Sequence, residues 1–178
     1  SDRVALYLNY ERQEESGVYV DGQTYLPATW VDANLNERFY WDANEEILVY
    51  ALPEEIVKSD ETTVDEDGKK ILYRDGDAVY LSLALIQKYT DVRLQAYDGE
   101  AQKRVFVENN WDPVTVADAA WSAKIRLRGG LKSPIVTEIK RGGTVTVLEQ
   151  YDNWARVMTP DGHIGYMHKW KMKNLHEE

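Results

Sequence analysis

The stretch that most constrains this chain is Thr144 to Met167, where three short strands and two turns are written into consecutive residues. Val145 and Val147 alternate with threonines, the period-two pattern of a half-buried strand. Tyr151, Asp152 and Asn153 supply a turn, Trp154 to Thr159 alternates again, and Pro160-Asp161-Gly162 is a strong reverse-turn tripeptide. His163 to Met167 makes the third strand. The pattern predicts a compact antiparallel meander.

Phase within the middle strand gives Trp154 a particular status. Ala155 and Val157 are its apolar partners, so Trp154, Arg156 and Met158 share the opposite face. A tryptophan out of phase with the core either covers an edge of the small barrel or presents an aromatic platform. Tyr151, Tyr166, His168 and Trp170 lie close by in sequence, and Tyr151, Trp154, Tyr166 and Trp170 are the candidate ligand-binding residues. His163 and His168 read as surface residues rather than ligands.

Upstream, Lys124 to Arg128 puts Ile125 and Leu127 on one face and Lys124, Arg126 and Arg128 on the other. Gly129-Gly130 opens a loop through Leu131 to Pro134. Ile135 to Ile139 is a further strand, and Lys140 to Gly143 a turn into the meander. The order of these elements, with Gly142, Trp154, Val157, Asp161-Gly162 and Gly165-Tyr166, resembles a bacterial SH3-like (SH3b) module over residues 123–178.

The N-terminal stretch reads strand, strand, short helix, strand, strand. Val4 to Asn9 alternates, and a polar turn is expected from Glu11 to Gly17. Val18 to Val20 and Thr24 to Leu26 flank the hairpin signal Asp21-Gly22, and Pro27 ends the strand. Trp30, Val31 and Leu35 have helical spacing, and Arg38–Asp42 and Ile47–Tyr50 form a second hairpin. The landmarks return about 55 residues later: Ile71 to Tyr73, Asp75-Gly76, Val79 to Leu81, a helical run from Ser82 to Tyr89, then Val92–Tyr97 and Arg104–Val107. This points to a duplication with repeats at about 1–53 and 54–108.

Tyr19 to Pro27, the helix after it, and Tyr40-Trp41-Asp42 followed by Ile47–Tyr50 resemble the copper amine oxidase N-terminal-like domain, found duplicated in secreted Firmicutes proteins. The second copy departs from the pattern, with Ser82 in place of the proline and Tyr97 in place of the tryptophan. The resemblance implies a non-catalytic stalk that binds no copper, and residues 1–108 contain no histidine. On this reading Tyr25, Trp30, Tyr40 and Trp41 pack the helix on the sheet. The acidic run Asp60 to Asp67 lacks the spacing of a calcium loop and reads as a solvated connection. Residues 109–122 read as a linker whose Val114–Ala120 is a short helix or an extended connector. Trp111 and Trp121 there either dock one module on the other or stand exposed for stacking.

Charge separates the same two halves. Residues 1–108 carry 11 Lys and Arg against 23 Asp and Glu, a net −12; residues 109–178 carry 10 against 8, a net +2. The acidic half argues against nucleic-acid binding. With no cysteine, disulfides, thiolate metal sites and cysteine nucleophiles are excluded. No apolar run approaches the roughly 20 residues that span a bilayer. All three histidines lie at or beyond His163, and neither a Gly-x-Ser-x-Gly elbow nor a His-Glu-x-x-His pair exists.

The expected fold class is therefore mainly β with short helices: a duplicated hairpin/helix/hairpin module, then a small SH3-like barrel. The expectation for function is a non-enzymatic, cofactor-free and metal-free wall-targeting and spacer region. The resemblance implies an extracellular, cell-wall-associated protein that binds peptidoglycan or a related polysaccharide. It also implies attachment to a chitinase-like family 18 glycoside hydrolase domain following Glu178. The alternative is a module that docks on that catalytic domain.

Overall fold

The computed structural model describes residues 2–178, with 53% of the chain in strands and 10% in helix, a mainly β protein. The chain divides into two compact units, one reaching to Asn110 and one running from Trp111 to Glu178.

The N-terminal unit begins with β1 (Asp2–Leu8), β2 (Glu11–Val20), β3 (Gln23–Pro27) and α1 (Ala28–Asn34). It continues with β4 (Phe39–Asp42), β5 (Ile47–Ala51), β6 (Ile56–Ser59), β7 (Leu72–Asp75) and β8 (Ala78–Ser82). It ends with α2 (Leu83–Tyr89), β9 (Arg93–Tyr97) and β10 (Lys103–Glu108). Seven of these strands form one sheet in the order β7-β8-β3-β2-β1-β10-β9, while β4-β5-β6 form a smaller sheet of their own. All pairings are antiparallel except β1 with β10.

Glu11 to Gly17, expected as a turn, is the first part of β2. The reversal is tighter: Leu8 pairs with Glu11, and Asn9 and Tyr10 alone make the turn, with φ of 48° and 70°. Two successive positive φ values match the right-handed twist of the flanking strands. Tyr10 is a bulky residue to hold there, and its hydroxyl donates to Glu108 Oε1 at 2.7 Å. Burial and that hydrogen bond push the Tyr10 phenol well above its usual pKa. The Asp21-Gly22 turn has the same geometry, at φ 49° and 81°.

The two helices and the strands before them keep a constant spacing, and the sheet pairs them symmetrically. β3 and β8 meet with Tyr25 opposite Ser82, Leu26 opposite Leu81 and Pro27 opposite Tyr80, a two-fold pattern centred on two equivalent leucines. Both leucines are fully buried. At the start of α2, Ser82 accepts the Leu85 N–H at 3.1 Å, an N-cap that Pro27 cannot provide at α1.

Trp30 is 1% exposed and donates its indole N–H to Gln13 Oε1 at 3.1 Å. It shares one core with Leu6, Leu26, Leu81, Ile86 and Val105, and Tyr50 stacks on Tyr89 with ring centroids 4.2 Å apart. Tyr25 is buried as expected, but Tyr40 is not. Phe39 takes the inward phase of β4, so Tyr40 points to solvent. Trp41 is half-buried, with the Arg74 guanidinium 5.1 Å over its ring.

The C-terminal unit comprises β11 (Thr115–Ala119), β12 (Ala123–Arg126), β13 (Ile135–Ile139), β14 (Thr144–Gln150), β15 (Trp154–Met158) and β16 (Ile164–His168). A 3-10 turn (Lys169–Lys171) then leads to β17 (Met172–Glu177). The sheet order is β13-β12-β16-β15-β14-β11-β17. Within the stretch expected as the linker, β11 lies between β14 and β17 and hydrogen-bonds to both. One cluster holds Ala117 and Met172 from one end of that order and Ile125 and Ile139 from the other, so the sheet curls round a shared core.

Candidate functional site

The outer face of β15 and β16 gathers the polar and aromatic side chains because the inner face is committed to the core. Ala155, Val157 and Met167 are fully buried, and their neighbours Trp154, Arg156, Tyr166 and His168 are half-buried on the other side. Trp154 stands opposite His168 and Arg156 opposite Tyr166. Gly165 sets the close approach of the next strand: a Cβ there would sit 2.6 Å from Ile125 Cγ2 and 2.7 Å from the Arg126 carbonyl oxygen. That approach brings Arg126 across from Tyr166.

The four candidate residues fall into two groups. Trp154 and Trp170 flank His168, whose ring centroid is 5.0 Å from the first and 5.7 Å from the second. The three rings wall a concavity of about 200 Å³, completed by Lys124 and Arg126 from β12, Leu131 from the following loop, and Lys171. The Gly129 backbone runs close against Trp154, where a Cβ would lie 3.1 Å from the indole Cγ. Trp170 is 62% exposed and forms the open side.

Tyr151 and Tyr166 make a separate pair, 6.1 Å apart, that does not line this concavity. The Tyr151 hydroxyl donates to Glu149 Oε2 at 2.7 Å, and Glu149 Oε1 lies 3.6 Å from Arg156. The hydrogen bond to Glu149 pushes the Tyr151 phenol up to about 12.

His168 is the residue that the sequence reading set aside. It is half-buried between two indoles, and its buried Nδ1 has no hydrogen-bond partner among the described residues. The signal was available, since His168 is in phase with Tyr166 on β16. Leu127 corrects the reading in the other direction. It was assigned to the core face with Ile125, but the register shifts between Ile125 and Arg126, and Leu127 is 51% exposed.

Residues 121–173 match the bacterial SH3 domain family. No curated protein matches the chain. Every residue lining the concavity falls inside the SH3 segment, and β11 lies before it. A larger concavity, about 440 Å³, opens on the N-terminal unit beside α2. Lys58 and Lys88 there face Asp65, Glu66 and Asp67, and its aromatic residue, Tyr89, is already stacked on Tyr50. Neither free aromatic surface nor unbalanced charge marks it as a site, so the SH3 concavity is the stronger candidate despite its size.

Proposed function

We propose that this chain is a non-catalytic wall-binding and spacer region of a cell-envelope protein. The SH3 domain grips cell-wall peptidoglycan or a related polysaccharide through Trp154 and Trp170, with the Tyr151–Tyr166 pair extending the surface. The observation that carries this reading is the open aromatic concavity on a domain whose own core contains no aromatic residue. Tryptophans left out of a core and ranged round a hollow are the expected equipment for stacking on a flat ligand face.

The N-terminal unit serves as the stalk. Its support is the two-fold register of β3 and β8 about Leu26 and Leu81, which fits a duplicated module. On this reading the catalytic work belongs to a family 18 glycoside hydrolase domain elsewhere in the protein. A second reading, docking on that domain, draws on Leu127, Leu131 and Ile135, which are 51%, 74% and 48% exposed on and beside the β12–β13 connection.

The test is co-sedimentation of the whole chain with purified Gram-positive sacculi. The chain pellets with the walls, and Trp170→Ala leaves it in the supernatant. No retention on walls from several species overturns the wall-binding reading.

A further inference from the structure

Charge around the SH3 concavity is one-sided. Lys124, Arg126 and Lys171 line it, and no Asp or Glu does. Among the described residues none of these three cations is matched with a carboxylate. Arg126 donates to the Ser133 carbonyl oxygen at 2.9 Å, and Lys171 Nζ lies 3.5 Å from the Ser122 carbonyl oxygen and 5.5 Å from the Trp170 ring centroid. Other cations of the chain find acids: Arg74 meets Glu46 at 3.0 Å, Arg156 meets Glu149 at 3.6 Å and Lys103 meets Asp2 at 3.6 Å. The hollow lies in the half of the chain that carries 10 Lys and Arg against 8 Asp and Glu, and its three cations with no acid concentrate that half's small positive excess in one place. Like charges gathered in a concavity repel one another and raise the local potential for an anion.

Size narrows the occupant. Drug-sized ligands occupy pockets of about 300–1,000 Å³, and this one measures about 200 Å³. It accommodates one monosaccharide-sized unit of a longer chain. The exposed indole of Trp170 offers a flat amphipathic face for the C–H side of a sugar ring, and the cations stand beside it.

We propose that this concavity binds an acidic saccharide unit, its ring against Trp170 and Trp154 and its carboxylate or phosphate held by Lys124, Arg126 and Lys171. The proposal deepens the wall-binding reading and rests on it. The Arg126 guanidinium is fixed by Ser133 and keeps further N–H groups to donate; the two lysines act as mobile point charges.

The experiment titrates the whole chain, followed by tryptophan fluorescence, with two pairs of probes. One pair is an amino-sugar disaccharide bearing a lactyl carboxylate and the same disaccharide with that group as a carboxamide. The other is the same disaccharide carrying a phosphate monoester in place of the lactyl group, and that disaccharide with a free hydroxyl there. The acidic member of at least one pair binds about tenfold tighter or more, as a charge-assisted hydrogen bond implies. Which pair shows the preference identifies the acidic group as carboxylate or phosphate. The double variant Lys124→Gln/Lys171→Gln removes the preference and retains the circular dichroism of the parent. Raising NaCl weakens the acidic probe selectively, because these charges are solvent-accessible.

Equal affinity for charged and uncharged members overturns the proposal and leaves wall binding standing. Binding of neither pair by a chain that still pellets with sacculi also overturns it. Failure to pellet as well removes the wall-binding reading beneath it.

Discussion

The two units place their aromatic residues in opposite ways. In the N-terminal unit Trp30, Tyr25, Phe39 and Tyr50 are at most 5% exposed, and rings stack on rings inside the fold. In the C-terminal unit the core is Ala, Val, Ile and Met alone, while Trp111, Trp121 and Trp170 are each more than half exposed. Cations differ too, being partnered with acids at Arg74 and Lys103 but gathered without them around the SH3 concavity. Tryptophan in the first unit is structural mass. In the second it stays out of the core.

This contrast is breakable in four places, in descending order of expected effect. Trp30→Ala removes the largest fully buried side chain and its hydrogen bond to Gln13. The expected cost is about 3–5 kcal/mol, seen as early denaturant unfolding of the N-terminal unit while wall pelleting persists. Loss of both together would mean that the units do not divide their labour as described.

Gly165→Ala drives a methyl group into Ile125 and the Arg126 carbonyl oxygen. It destabilises the SH3 domain by about 1–3 kcal/mol. Gly130→Ala, where a Cβ meets nothing within 4 Å, changes stability by less than about 0.5 kcal/mol. Differential scanning calorimetry on the two variants checks whether the β12–β16 approach is as tight as described.

Trp170→Ala is the sharpest probe of the surface role. Its side chain is 62% exposed, so stability shifts by less than about 0.5 kcal/mol while wall binding is lost. A large stability loss would place Trp170 with Trp30 and erase the contrast.

The smallest effect is at Tyr151. Its phenol is pushed up to about 12 by its hydrogen bond to Glu149, above an ordinary value near 10. The folded state thus holds the proton more tightly than the unfolded chain. Its stabilising contribution is whole below about pH 10 and disappears as pH rises toward 12. A spectrophotometric titration near 295 nm shows late-ionising tyrosines in the parent, Tyr10 among them; Tyr151→Phe removes one of these, and Glu149→Gln moves one earlier.

Much of the local structure was legible. β14, β15 and β16 stand where Thr144–Met167 alternates, and α1 and α2 cover the helically spaced runs. The first half of β2 was not legible, because Glu11 to Ser16 is polar throughout and its strand state comes from pairing with β1. β6 and β17 carry few buried residues and gave no alternation to read. β11 is short and rich in alanine, and only its two neighbours in the sheet make it a strand. Within the site, the placement of Trp154 on the outer face followed from the phase of β15, whereas the partition of the four aromatics into two groups did not.

By itself, the sequence determined the turns marked by glycine, such as Asp21-Gly22 and Pro160-Asp161-Gly162, the inner face of β15, and that Trp154 stands off the core of that strand. These are consequences of backbone preference and of a side-chain period set by the pleat. Tertiary structure alone decided the parallel pairing of β1 with β10, the leucine-centred register of β3 and β8, and the meeting of β12 cations with Trp154, His168 and Trp170. Such long-range registers depend on which apolar faces are buried against each other once the intervening loops have closed. No local window of residues contains that information.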